Sequence, residues 1–117
     1  MSGEANGSES ALTLIYTTFP DTDTAKRIAG ILLERRLIAC ANLMPGMIAM
    51  FRWEGKAEVE EEVAAILKTR VDLVEPLKVA LVDLHPYATP AFAALPRAEA
   101  TAGFADWIRS ETAAPAS

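Results

Sequence analysis

Two runs of residues that mirror each other about Trp53-Glu54-Gly55-Lys56 constrain this chain more than any other feature. Ahead of that tetrad, residues 39–44 and 47–51 are small or apolar, interrupted by Pro45-Gly46. Behind it, Ala57 and Val59 alternate with Glu58 and Glu60 before the continuous apolar run 63–67. A short Gly-containing loop joins antiparallel neighbours, and alternation that gives way to an unbroken apolar run describes a ribbon solvated on one face that becomes buried on both. The reading is a long hairpin over 39–69 whose tip projects and whose base lies inside the domain. A ribbon of that length does not cover its own apolar surface, so it requires a further partner, another copy of the chain being one candidate.

A chain of 117 residues, 51% of them hydrophobic, is large enough for one domain with a core that needs neither disulfide nor structural metal. The expected organisation is a flexible leader at 1–10, rich in Gly and Ser, a single domain at 11–112 and a flexible tail at 113–117. A net charge of −5, with Arg27, Arg35, Arg36 and Arg70 scattered among acids, argues against a nucleic-acid partner. The apolar runs are too short and too often cut by Pro, Gly or charge to span a membrane. The N-terminal residues lack the basic start and apolar middle of a secretory signal. The single cysteine, Cys40, excludes an intrachain disulfide and fits a reducing compartment. A cytoplasmic protein is therefore expected.

Along the chain, the β-branched and aromatic bias of residues 11–18 predicts a buried strand, ended by Phe19-Pro20. Asp21 is placed to cap a helix whose apolar face carries Ala25, Ile28, Ala29 and Leu32 and which stops near Arg35-Arg36. After the hairpin, Asp72 is expected to cap a second helix with Val74, Leu77, Leu81 and Leu84 on its inner face. Pro76 falls in that helix's first turn, and His85-Pro86 ends it. Residues 91–95 predict a short strand, and residues from about 101 to 111 a last helix with Phe104, Trp107 and Ile108 on one side. The order strand, helix, strand, strand, helix, strand is the split βαβ arrangement of an α+β ferredoxin-like sandwich with an antiparallel sheet, here followed by a C-terminal helix.

Several motifs also carry a family resemblance. Leu37-Ile38-Ala39-Cys40-Ala41-Asn42 resembles the signature of the CutA family of divalent-cation-tolerance proteins, and Arg52-Trp53-Glu54-Gly55-Lys56 resembles that family's hairpin tip. Glu61-Glu62 with 66–69, Leu84-His85-Pro86-Tyr87 with Pro90, and Asp106-Trp107-Ile108 follow in the family's order, so the likeness spans about 12–109. The resemblance implies a ferredoxin-like protomer in a homotrimer, in bacterial cytoplasm, associated with tolerance of copper and other divalent cations. It also identifies departures: Ala88 and Ala91 stand where the family usually has carboxylates, Ala49 and Phe51 where it often has Ser and Tyr, and Phe104 where Tyr is common. Each removes an oxygen, which weighs against a hard cation held by carboxylates.

The candidate site residues each admit a structural alternative. Cys40 reads as a soft-metal ligand or as a small core residue, and His85 as a metal ligand or as a cap for the last carbonyls of its helix. Tyr87 and Lys68 are assigned to a cleft, Lys68 with a carboxylate partner. Trp53, Phe51 and Trp107 are assigned to the trimer interface. Met44, Met47 and Met50 suggest a thioether box only if Pro45-Gly46 inserts a bulge; packing is the simpler reading. Glu58, Glu60, Glu61 and Glu62 read as a solvated strand edge. With one histidine, one cysteine and no nucleophile elbow, phosphate loop or dinucleotide turn, the chain is not expected to be an enzyme. Three functions stay open: weak binding of copper or another divalent cation in clefts between subunits, with no obligatory cofactor; a trimeric signalling or scaffold role with a small-molecule or protein partner; and, least favoured because the groups that would activate Cys40 are absent, a thiol-dependent enzyme. Removing His85 is expected to remove most of the copper binding and spare the fold.

Overall fold

The computed structural model describes residues 10–114. The leader expected at 1–10 lies outside them except for Ser10, whose carbonyl accepts a 2.9 Å bond from Arg109 Nε. The tail expected at 113–117 lies outside them from 115 onward. The chain is α+β: strand β1 (Leu12–Phe19), helix α1 (Thr22–Glu34), β2 (Cys40–Trp53), β3 (Lys56–Arg70), helix α2 (Val74–Leu84), β4 (Ala93–Ala94) and helix α3 (Ala102–Glu111). The strands form one antiparallel sheet in the order β2-β3-β1-β4.

The hairpin is as the residue pattern predicts. Glu54 and Gly55 turn the chain with φ of 50° and 82°, the left-handed pair that suits the twist of a two-residue hairpin loop. Residues 62–65 of β3 are buried on both faces, whereas its distal half is largely exposed. The ladder slips by one residue between Met44 and Met47, where Gly46 adopts a φ of 79°. That bulge puts Met44 and Met47 opposite Ala64 and Glu62, on one face, while Met50 faces Val59 on the other. The three methionines therefore form no common box.

The register defines two faces. One carries Ile15, Phe19, Val63, Ala65 and Leu67, and α1 and α2 cover it through Ile28, Leu32, Leu77 and Leu81, all nearly inaccessible to solvent. Asp21 caps α1 as expected, its carboxylate accepting from Thr24 N at 2.7 Å. The second face, with Tyr16, Lys68, Glu62, Met47 and Phe51, is covered only at one end, where Ala105 and Ile108 of α3 meet Leu12 and Ala39.

Two boundaries differ from expectation. Asp72 does not cap α2. It lies in a single 3-10 turn at Val71–Leu73, 3.5 Å from Arg70 Nε, and α2 starts without a side-chain cap. The last strand shrinks from 91–95 to Ala93–Ala94 because side chains take part of its backbone bonding: the Thr17 hydroxyl donates to the Ala91 carbonyl at 2.7 Å and the Thr13 hydroxyl to that of Leu95.

Candidate functional site

The segment that leaves α2 builds the site. Pro86 forces His85 into an extended conformation (φ −78°, ψ 141°), which ends the helix and carries the chain around the end of β1 toward its outer edge. His85 is buried there, its ring stacked on Phe19 at 5.2 Å and 15°. Nδ1 accepts from the Tyr87 N–H at 3.1 Å, so Nε2 carries the hydrogen that donates to the Thr18 carbonyl at 2.7 Å. The imidazole thus bonds β1 rather than the last carbonyls of its own helix, and neither nitrogen has a lone pair free for a metal.

This double anchorage fixes Tyr87, whose ring lies 4.8 Å from that of His85 and whose hydroxyl donates to Glu62 Oε2 at 2.7 Å. Glu62 is buried, unlike the solvated edge its position in an acidic run suggests. Burial, then the hydrogen bond to Glu62, then the charges of Glu62, Glu60 and Asp21 hold the Tyr87 phenol well above the usual phenol range. A folded-state pKa above the unfolded one contributes stability that is complete below about pH 10 and is lost as pH rises further. Alkaline unfolding of the wild type should therefore show a limb beginning near pH 10 that flattens in Tyr87→Phe, as read by circular dichroism against pH; superimposable curves would exclude the linkage.

Beside this pair opens a cleft of about 470 Å³, lined by Thr18, Phe51, Trp53, Glu60, Glu62 and Tyr87, with Ala88, Thr89 and Ala91 along its rim. Its volume is that of a small-molecule site. The sheet register explains the collection: Phe51, Trp53, Glu60, Glu62 and Thr18 all point to the face that α1 and α2 leave open. Ala88 and Ala91 both belong to this cleft.

Of the other expected site residues, Phe51 and Trp53 line the cleft, and Cys40, Lys68 and Trp107 do not. Cys40 and Lys68 are cross-strand partners near the far end of the sheet, six residues along β3 from Glu62. Among the described residues the Lys68 ammonium has no carboxylate partner; it lies 5.3 Å above the Phe104 ring, which itself stacks on Trp107. Lys68 is thus not part of the cleft, and Cys40 and His85 are not brought together. Among the described residues, no three His, Cys, Asp or Glu side chains converge as a metal site would require. Trp53, Phe51 and Trp107 are all exposed in the single chain. Sequence reasoning missed Glu60 and Glu62 as cleft residues, although the two-residue period of β3 already puts them on one face with Phe51's partner Glu58.

Comparison with known proteins is consistent with this architecture. The family model for "CutA1 divalent ion tolerance protein" matches residues 13–111. The divalent-cation tolerance protein CutA of Pyrococcus horikoshii is 46% identical over 99 residues, covering 85% of this chain and 96% of that protein. The crystal structure of the divalent ion tolerance protein CutA1 of Ehrlichia chaffeensis superposes with a TM-score of 0.87 at 38% identity, covering 92% of this chain and all of the other. A protein of Archaeoglobus fulgidus described as a periplasmic divalent cation tolerance protein CutA superposes at 0.84 with 37% identity, over 87% of this chain and 99% of its own. No helix among the described residues is long and apolar enough to cross a membrane. With a matched span that runs from β1 through the last residue of α3, the chain belongs to the CutA1 family of divalent ion tolerance proteins.

Proposed function

We propose that the protein serves divalent-cation tolerance as a cytoplasmic homotrimer of ferredoxin-like protomers, a binding protein rather than an enzyme, with its ligand site in the cleft at the boundary between copies. One observation carries this reading: the face that α1 and α2 leave open presents Tyr16, Met44, Phe51 and Trp53 to solvent, and Phe51 and Trp53 among them line the cleft. Large apolar side chains exposed together on one sheet face are characteristic of an interface. Light scattering after size exclusion should return three chains per particle; a monomer at micromolar concentration would refute the assembly. Trp53→Ala should loosen it by about 2 kcal/mol, the cost of truncating a buried aromatic anchor, visible as dissociation on dilution.

For the cation, the cleft carboxylates of Glu60 and Glu62 replace the expected pair His85 and Cys40. Two carboxylates bind a divalent cation only weakly, and along the first-row divalent series the general order of affinities favours copper. Calorimetry should give a copper heat that Glu60→Gln diminishes and Cys40→Ala leaves unchanged. A heat that depends on Cys40 would move the site to the other end of the sheet. The apolar rim of Ala88 and Ala91 favours a second reading, a trimeric signalling or scaffold protein whose cleft takes a small molecule or a partner's side chain.

A further inference from the structure

We propose that the cleft beside Tyr87 is a site for an organic cation, a small molecule that carries an ammonium or guanidinium group on an apolar body. The inference rests on the reading of this cleft as a ligand site and goes beyond it in naming an organic cation rather than a metal ion.

Three aromatic side chains, Phe51, Trp53 and Tyr87, line a single cleft with two carboxylates, Glu60 and Glu62. No lysine or arginine lines that cleft. Indole, phenyl and phenol faces attract a weakly hydrated cation, and the attraction grows when water is excluded. The carboxylates divide the work. Glu62 is buried and already accepts the Tyr87 hydroxyl, so it is held in place and biases the site toward positive charge. Glu60 is exposed in the single chain and can turn toward an incoming ammonium at the boundary between copies. The field at the site is negative, since the charges of Glu62, Glu60 and Asp21 all help to keep the Tyr87 phenol protonated.

The same inventory suits an inorganic ion less well. A hard cation takes about six to eight oxygens, and the alanines at 88 and 91 add none. Those methyl groups, with the aromatic rings, instead give a carbon-rich wall against which an alkyl body packs. The cleft is large enough, at about 470 Å³, for a ligand of several non-hydrogen atoms.

The test uses the full chain in its native assembly, titrated by calorimetry with choline and with 3,3-dimethyl-1-butanol, its uncharged counterpart of nearly equal shape. Choline should bind at least about tenfold more tightly than the alcohol, because the shape is shared and only the charge differs. Glu60→Gln should weaken choline about tenfold and leave the alcohol unchanged, with the circular dichroism spectrum intact. Equal affinity for the two probes would overturn the proposal and leave an apolar slot. A copper heat in a protein that shows no choline heat would overturn it too and leave the metal reading standing; choline binding without a copper heat would do the reverse. Choline binding that appears only after Arg52→Gln or Lys56→Gln would also overturn it, since the occupant would then be the basic hairpin tip of a neighbouring copy.

Discussion

His85→Ala should cost the fold about 3 kcal/mol, because it strands a buried acceptor and a part-buried donor, worth roughly 1–3 kcal/mol for a buried group left without a partner. The Thr18 carbonyl loses the Nε2–H that it accepts at 2.7 Å, and the Tyr87 N–H loses Nδ1 at 3.1 Å. The ring's stack on Phe19 is lost as well. For a domain of this size, a loss of that magnitude lowers Tm by about 10–20 °C, measured at matched protein concentration so that any assembly contributes equally. Tyr87 should also lose its fixed position, so its hydroxyl should no longer hold Glu62, and the wall of the cleft should open. The sequence alone implied the opposite, a helix-terminal histidine that could be removed without structural consequence. A shift under about 5 °C would show that water replaces the imidazole without cost and would return His85 to the candidate ligands.

Phe19→Ala should have a larger effect, about 4 kcal/mol, in the range for truncating a phenylalanine in a packed core. Phe19 has no exposed surface and belongs to the cluster that joins β1 and β3 to α1 and α2. It is also the platform under His85, so its loss acts on the cleft from beneath. Core and site are therefore coupled through one ring contact. A double-mutant cycle of Phe19→Ala with His85→Ala should return an interaction energy of about 1 kcal/mol, the range for contacting ring pairs. Additive losses in chemical denaturation would separate the core from the site.

The cleft draws its carbon surface from separate parts of the chain. Ala88 and Ala91 come from the segment after α2 and Phe51 from β2, distant in sequence, yet all three border one hollow. The acids that remain, Glu60 and Glu62, come from β3, the strand shared by every part of the sheet except β4.

What the sequence determined by itself is what neighbours within a few residues decide. The hairpin follows from a two-residue alternation and a turn whose Gly55 tolerates positive φ; α1 follows from apolar residues at helical spacing and from Asp21; the end of α2 follows from Pro86. The tertiary structure alone decided the identity of the site, because its groups meet across long stretches of chain. His85 finds its acceptor on Thr18, 67 residues away, and Tyr87 selects Glu62 from four adjacent acids that local pattern does not distinguish. Lys68 finds an aromatic ring of α3 where the sequence suggested a carboxylate, since α3 packs on that end of the open face. Periodicity specifies which face a side chain points from, but which side chains share a cleft depends on strand register and on where a loop crosses the sheet edge, and both are fixed only when the core closes.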